Sequence, residues 1–190
     1  MSTPPLVGPV FTLGHGTRSI EELIGLLSEA RVGEVADVRR FPASRRHPHF
    51  TREALERSLS KAGLAYRWHG ERLGGRRKHQ KGQSTRHPAW RNDAFRAYAD
   101  YMDTPEFRRG LLELEDAARR GPPVAVMCAE TLWWRCHRRL IADALTIDGF
   151  ETVHLIGPGA SQEHKLHDGL RLDTSGHPVY DVGVATELFP

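Results

Sequence analysis

The chain has 190 residues, a net charge of +3, 39% hydrophobic residues and two cysteines. That length suits one compact domain with a full core and would cramp two. No run approaches the roughly 18 consecutive apolar residues of a membrane span, and the N-terminus lacks the charged and apolar blocks of a secretory signal, so a cytoplasmic protein away from membranes is expected.

Val10–Leu13 is a short apolar run that predicts a first strand, delivering Gly14, His15, Gly16, Thr17 and Arg18 at its end. Ser19 and Glu22 have capping-box spacing, and Ile20, Leu23, Ile24 and Leu27 recur at helical period. Val35–Val38 predicts a second strand that leads into Asp37, Arg39 and Arg40 and a loop from Phe41 to Arg46. Thr51 is expected to cap a second helix, with Leu55 and Leu59 on its buried side and Gly63 at its end. Leu64–His69 alternates as a third strand, and its exit carries Glu71 and a stretch from Leu73 to Lys78 that reads as too polar to pack. The connection from Gly70 to about Trp90 is longer than a compact domain carries without function or disorder.

Asn92 is expected to cap a helix bearing Phe95, Tyr98, Ala99 and Met102, and Thr104, Pro105 and Glu106 start the next. Leu111, Leu114 and Ala118 form its apolar face, and Gly121, Pro122 and Pro123 stop it. Val124–Met127 suits a strand buried on both faces, with Cys128 at its end. The helix that follows carries Leu140, Ile141, Ala144 and Leu145 and leads to a strand at Thr152–Ile156. This alternation predicts a single α/β domain over 1–190, with a mainly parallel sheet and helices on both faces in a Rossmann-like three-layer arrangement. Residues 158–190 read as an irregular C-terminal extension with one strand near Val179–Val182.

Ligands of open parallel sheets bind beyond the carboxyl ends of the strands. The residues just past those ends are His15 and Arg18, Asp37 and Arg39, Glu71, then Cys128 and Glu130, which places the reactive side chains on one rim. The densest constellation runs from Met127 to Arg138. Cys128, at a strand end facing a helix N-terminus and near arginines, is expected to have a lowered pKa and to be reactive; a small buried hydrophobe is the alternative. Glu130 would be an acid or base with a raised pKa if held in a dry cleft, or else an arginine's partner. Of Trp133 and Trp134, adjacent and so pointing apart, one is expected in the core and the other, Trp134, on a base. Cys128, Cys136 and His137 form a candidate divalent-metal set, although their spacing matches no ordinary zinc motif and a fourth ligand such as His15 would be needed. Two cysteines so close together suit a reducing compartment better than a stapled secreted fold.

The basic residues are concentrated. From Arg39 to Arg91 there are fifteen Lys or Arg against three Glu, a net +12, while the rest of the chain is at −9. Such a block fits a polyanionic partner, nucleic acid or nucleotide, with a solvated basic face as the alternative. Phe41, Phe50, Tyr66, Trp68 and Trp90 are interleaved with it, which suits base stacking or core packing. The anion-binding candidates are Arg18, Arg39, Arg40, Arg45, Arg76, Arg77 and Arg138, with Asp37, Glu71 and Trp134 completing the substrate set. Gly74 and Gly75 allow close backbone approach to a phosphate, but neither Walker nor Rossmann spacing is present, so ATP or dinucleotide binding is not supported. Three readings follow. The first is an enzyme acting on a phosphate-bearing substrate, with Cys128, Glu130 and His15 as catalytic groups. The second is a nucleic-acid-binding module without chemistry, and the third a metal or redox site of Cys128, Cys136 and His137.

Gly14 to Arg18, Asp37 to Phe41 with Pro42, Ser44 and Arg45, Leu73 to Arg76, Phe95 to Met102, and Met127 to Glu130 through Trp134 to Arg138 together resemble the bacterial and archaeal family labelled domain of unknown function 488, over about residues 10–157. Gly16 departs from it, standing where the family's Gly-His-Ser motif has serine. The resemblance implies the domain and its motif residues and leaves the activity open. A weaker similarity to rhodanese-like domains rests on Asp37 to Arg39, Cys128 at a strand end and Gly149 to Val153. It implies a rhodanese-like layering, but Cys128 and Arg135 are too far apart for the Cys-x5-Arg of the related phosphatases, so that mechanism is not carried across.

Overall fold

The computed structural model describes residues 8–43, 46–79 and 84–184. Five parallel strands, β1 (Val10–Gly14), β2 (Glu34–Asp37), β3 (Ala65–Trp68), β4 (Val124–Cys128) and β5 (Thr152–Gly157), lie in the order β3-β2-β4-β1-β5. A sixth, β6 (Ala160–Glu163), runs antiparallel along the β5 edge. The chain leaves β1 through α1 (Ile20–Glu29) to β2, then through a 3₁₀ turn at Pro48–Phe50 and α2 (Arg52–Lys61) to β3. It returns through α3 (Gly70–Leu73), α4 (Asp93–Met102) and α5 (Pro105–Arg120) to β4, and through α6 (Arg138–Ile147) to β5. Right-handed crossovers that reverse direction along a sheet must use its opposite face. Helices therefore cover both faces, in the three-layer α/β architecture expected.

Strand alternation divides the core in two at β4, whose five residues are all buried. Ala125 and Met127 join Leu13, Leu27, Val35, Phe50 and Leu59 on one side. Val124, Val126 and Cys128 join Tyr98, Leu114, Leu140 and Ile141 on the other. Because α2 departs from β2 toward one face and α6 departs from β4 toward the other, the ends of these neighbouring strands diverge into a crevice, the switch point where ligands of such sheets bind.

The helix starts follow the sequence signals. The Ser19 and Glu22 capping box forms, Asn92 accepts from the Ala94 and Phe95 N–H groups, and Thr104 accepts from Phe107 N–H. Thr51 holds the N-cap position of α2 without capping it, because the 3₁₀ turn before it offers the Pro48 carbonyl and the Thr51 hydroxyl donates there at 3.0 Å.

Two expectations are corrected. Leu73, Gly74 and Gly75 are buried, since the Tyr98 and Tyr101 hydroxyls donate to the Leu73 and Arg72 carbonyls at 2.7 Å each and so satisfy the backbone of a stretch that reads as polar. Residues 158–184 are also more than an irregular extension: β6 is followed by a hairpin of β7 (Leu170–Leu172) and β8 (Pro178–Tyr180). Polar contacts order it. Asp143 of α6, with no solvent exposure, accepts from the Tyr180 hydroxyl at 2.9 Å, His164 Nε2 at 2.8 Å and His167 N–H at 3.2 Å. The chain of bonds continues from His164 Nδ1 to His154 Nε2 at 2.9 Å and from His154 Nδ1 to Thr12 Oγ1 at 2.6 Å. Burial holds His154 at about 3, neutral, which suits its place between a donor and an acceptor. No described helix is long and apolar enough to cross a membrane.

Asp143→Ala strands three buried donors and is expected to destabilise the protein by about 3 kcal/mol or more. Hydrogen exchange should then show residues 158–184 losing protection ahead of β1 and β4. Equal loss along the whole chain would show that Asp143 does not tie this segment down.

Candidate functional site

The crevice between β2 and β4 opens into a cavity of about 450 Å³. Arg39, Arg40 and Phe41 line it from the β2 exit, Gly75 and Arg76 from the segment after α3, and Phe95 and Tyr98 from α4. Cys128, Ala129 and Glu130 enter from the β4 exit, and Arg135, Cys136 and His137 from the approach to α6.

The segment between β4 and α6 leaves Cys128 and returns to it. His15 N–H donates to the Cys128 carbonyl and Gly16 N–H to that of Ala129, both at 2.9 Å, so the β1 to β4 pairing runs past the strand ends. Gly14 permits this, because a Cβ there would overlap the Glu130 carbonyl. Thr131 fills the space beside Gly16, where a side chain from the serine of the family motif would begin. The fully buried guanidinium of Arg138 donates to the carbonyls of Glu130 and of Thr131, the latter at 2.8 Å. A 3₁₀ turn at Trp133–Arg135 then sets Cys136 beside Cys128, both free thiols.

His137 completes the cluster. Its Nδ1 lies 3.6 Å from Cys136 Sγ and 3.9 Å from Cys128 Sγ, and the three atoms all lie within 4.8 Å of one another. Its Nε2 is 3.3 Å from the Val38 carbonyl, an acceptor only, which assigns the proton to Nε2 and leaves the Nδ1 lone pair facing the sulfurs. A Cβ on Gly75 would come within 2.8 Å of that Nδ1. Gly75 therefore serves the packing of its loop against His137 and also lines the cavity.

The two thiols divide their roles against expectation. The neighbouring Cys136 sulfur and burial both push the Cys128 pKa up. Burial would raise Cys136 as well, but the neighbouring Cys128 thiol, the Arg138 charge and the Arg138 N–H bring it down to about 7. The reason is positional: α6 begins ten residues after Cys128, so the helix N-terminus falls on Cys136.

The other candidates are distributed as follows. Glu130 is exposed at the cavity rim, away from the dry cleft expected, and its Oε1 accepts from Leu132 N–H at 3.1 Å. His15 is outside the cavity lining: it is buried, stacked on Phe50 at 4.1 Å, with Nδ1 3.0 Å from the Gly16 carbonyl and Nε2 3.3 Å from Arg39 Nη1. It is thus not available as the fourth member of the cysteine cluster. Asp37 and Arg39 form a buried two-point pair at 2.6 and 2.9 Å, and Arg39 also donates to the Phe50 carbonyl. Arg18 donates to the Gly14 and Ile156 carbonyls at 2.5 and 2.6 Å, tying two strand exits together. Arg77 lies over the Tyr101 ring at 3.7 Å in an adjoining cavity, whereas the exposed Glu71 and Trp134 lie outside the main lining, Trp133 being the buried tryptophan. Arg45 falls outside the described residues. Phe95, Tyr98 and Arg135 line the cavity without having been singled out as site residues, and Phe41, offered for base stacking or core packing, lines it exposed. The sequence signals for Phe95 and Tyr98 are their place in the Phe95 to Met102 motif and their i, i+3 spacing, which puts both on one edge of α4.

The family model described as "Domain of unknown function DUF488" matches residues 19–145. No curated protein and no solved structure matches the chain.

His15 is lowered from its ordinary 6.5 to about 4, chiefly by burial and then by the Arg39 charge. The unfolded chain therefore binds the extra proton first. The stability that His15 contributes is present above about pH 6.5, falls as pH drops toward about 4, and levels off below it, a loss on the order of 2–3 kcal/mol. Urea midpoints of the wild type and His15→Gln across this range should converge toward the acid end; parallel curves would exclude a buried neutral imidazole.

Proposed function

The chain belongs to the DUF488 family, and from that premise we propose that it is an enzyme acting on a phosphate-bearing substrate of nucleotide size, bound in the crevice between β2 and β4. One observation carries this reading. Arg40, Arg76 and Arg135 line the cavity, and none of the ion pairs among the described residues involves them, although the floor beneath them holds Cys128, Cys136 and His137. Guanidiniums that no carboxylate pairs with, around a concave site, are suited to an external anion, and arginine suits phosphate by its planar fork. Arg39 differs, because Asp37 already neutralises it; its role is to hold the β2 exit in shape.

The remaining lining fits the same substrate class. Phe41 is 64% exposed and Phe95 is partly buried, so each can offer a ring face to a base. The cavity volume is in the range of small-molecule sites. Glu130 at the rim is the group best placed to take or give a proton, and the cysteine and histidine cluster supplies the reactive centre. His15 acts through Arg39 in this account, as a positioning residue.

A second cavity of about 290 Å³, lined by Arg40, Arg76, Arg77 and Lys78 among others, continues from the first. This favours a polynucleotide strand as the second reading. Four phosphate contacts along such a strand would give a logarithmic salt slope of about −3.

Calorimetry with nucleoside monophosphates tests the pocket. Arg40→Ala and Arg76→Ala are each expected to weaken binding roughly 10-fold or more, as loss of a charged hydrogen bond does. Cys136→Ser and Glu130→Gln should remove turnover across a panel of nucleotides and oligonucleotides while the fold is kept. Binding indifferent to the arginine variants would sink the anion site, and turnover surviving both of the other variants would sink the catalytic assignment. Oligonucleotide binding with the steep salt slope and no turnover in the wild type would leave the non-catalytic module as the answer.

A further inference from the structure

We propose that Cys128, Cys136 and His137 form a three-ligand zinc site whose fourth coordination position opens into the cavity. The proposal concerns the floor of the same pocket. It rests on the functional reading only for what the open position faces, and metal content is measured without substrate, so the two can fail separately.

The donor set comes first. Two thiolates and one imidazole suit zinc among the common divalent ions, and the two sulfur charges would balance the ion. Calcium and magnesium want oxygen ligands, and iron–sulfur clusters take four protein ligands, one more than this cluster offers.

Distances give the second argument. Zinc binds sulfur at about 2.3 Å and imidazole nitrogen at about 2.0–2.1 Å, so tetrahedral angles set the sulfur to nitrogen separation at roughly 3.6 Å. The observed separations are 3.6 Å for Cys136 and 3.9 Å for Cys128. Both contacts are within reach of a thiol to imidazole hydrogen bond, but one such bond would bring only one sulfur to Nδ1, whereas here two share it at similar range.

The third argument is the outer contact. A metal-bound histidine donates its other N–H to a carbonyl or carboxylate, which fixes both tautomer and ring plane. His137 does this with the Val38 carbonyl, and Gly75 is packed so close to the ring that it cannot turn away. The imidazole is pre-oriented with its lone pair on the sulfurs.

Three protein ligands are the arrangement of catalytic zinc, whereas structural zinc takes four. Among the described residues no fourth His, Cys, Asp or Glu joins the cluster, and all three members line the cavity. A bound ion would place a Lewis-acidic position on the floor below Arg40 and Arg135.

The test starts with protein made without a metal-binding tag or chelator. Elemental analysis should find about one zinc per chain. Protein stripped with chelator and titrated with cobalt(II) should develop the near-ultraviolet thiolate charge-transfer band and the intense visible bands of a tetrahedral site. Cys136→Ser, Cys128→Ser and His137→Gln should each weaken cobalt binding by more than about 100-fold, beyond the roughly 10–100-fold typical of losing an outer-shell partner. Arg40→Ala, which matters to the anion reading alone, should keep full metal content. Wild-type protein that carries no zinc and gives no thiolate charge-transfer band with cobalt would overturn the proposal without needing any variant to fold. Folded cysteine variants that keep wild-type cobalt affinity would overturn it equally.

Discussion

The site depends on one buried cation. Arg138 sits at the first turn of α6 with 1% exposure, and among the described residues no carboxylate pairs with it. A charge taken out of water at this depth costs several kcal/mol unless its donors are met. Here the carbonyls of Glu130 and Thr131 accept from its two Nη groups, while Nε finds no acceptor among the described residues, and the Arg138 charge favours the thiolate form of the neighbouring Cys136. The loop between β4 and α6 therefore cannot lift away without stranding the guanidinium. That constraint returns Cys136 to Cys128 and orients His137 between them.

The sheet supplies the other half of the arrangement. β4 lies between β2 and β1, and its chain leaves to the opposite face from theirs, so a gap opens at the carboxyl ends. Gly14 lets the cysteine loop cross the end of β1, and Gly75 lets the segment after α3 close on His137. Asp37, Arg39, His15 and Phe50 brace the β2 side as a buried polar and aromatic unit. A cavity lined by arginines results, with Cys128, Cys136 and His137 on its floor.

Much of this was legible in the sequence because it follows from local rules. Periodicity and caps located the five parallel strands and every helix but the four-residue α3, and the strand ends placed Cys128, Glu130 and Arg39 on one rim. What escaped depended on contacts between distant segments. Cys128 reads as the activated thiol because it ends a strand, yet the helix N-terminus that activates a thiol lies at Cys136, beyond a loop whose path is set by Arg138. His15 reads as catalytic by its rim position, but its ring packs against Phe50, a residue of the next connection, and turns inward. The order of residues 158–184 comes from Asp143, one carboxylate on a helix whose spacing gives no sign that it gathers three donors. The zinc proposal is invisible to spacing for the same reason, since the three ligands converge through a turn and not through a paired motif.

The central claim is that the cysteine and histidine cluster and the arginines lining the cavity serve one ligand. A crystal structure of zinc-supplemented protein soaked with a nucleoside monophosphate, with anomalous data at the zinc edge, tests it most directly. The account predicts a zinc peak bonded to Cys128 Sγ, Cys136 Sγ and His137 Nδ1, with the phosphate above it in contact with Arg40, Arg76 or Arg135. A phosphate bound elsewhere on the molecule, with these three side chains carrying no metal, would contradict it.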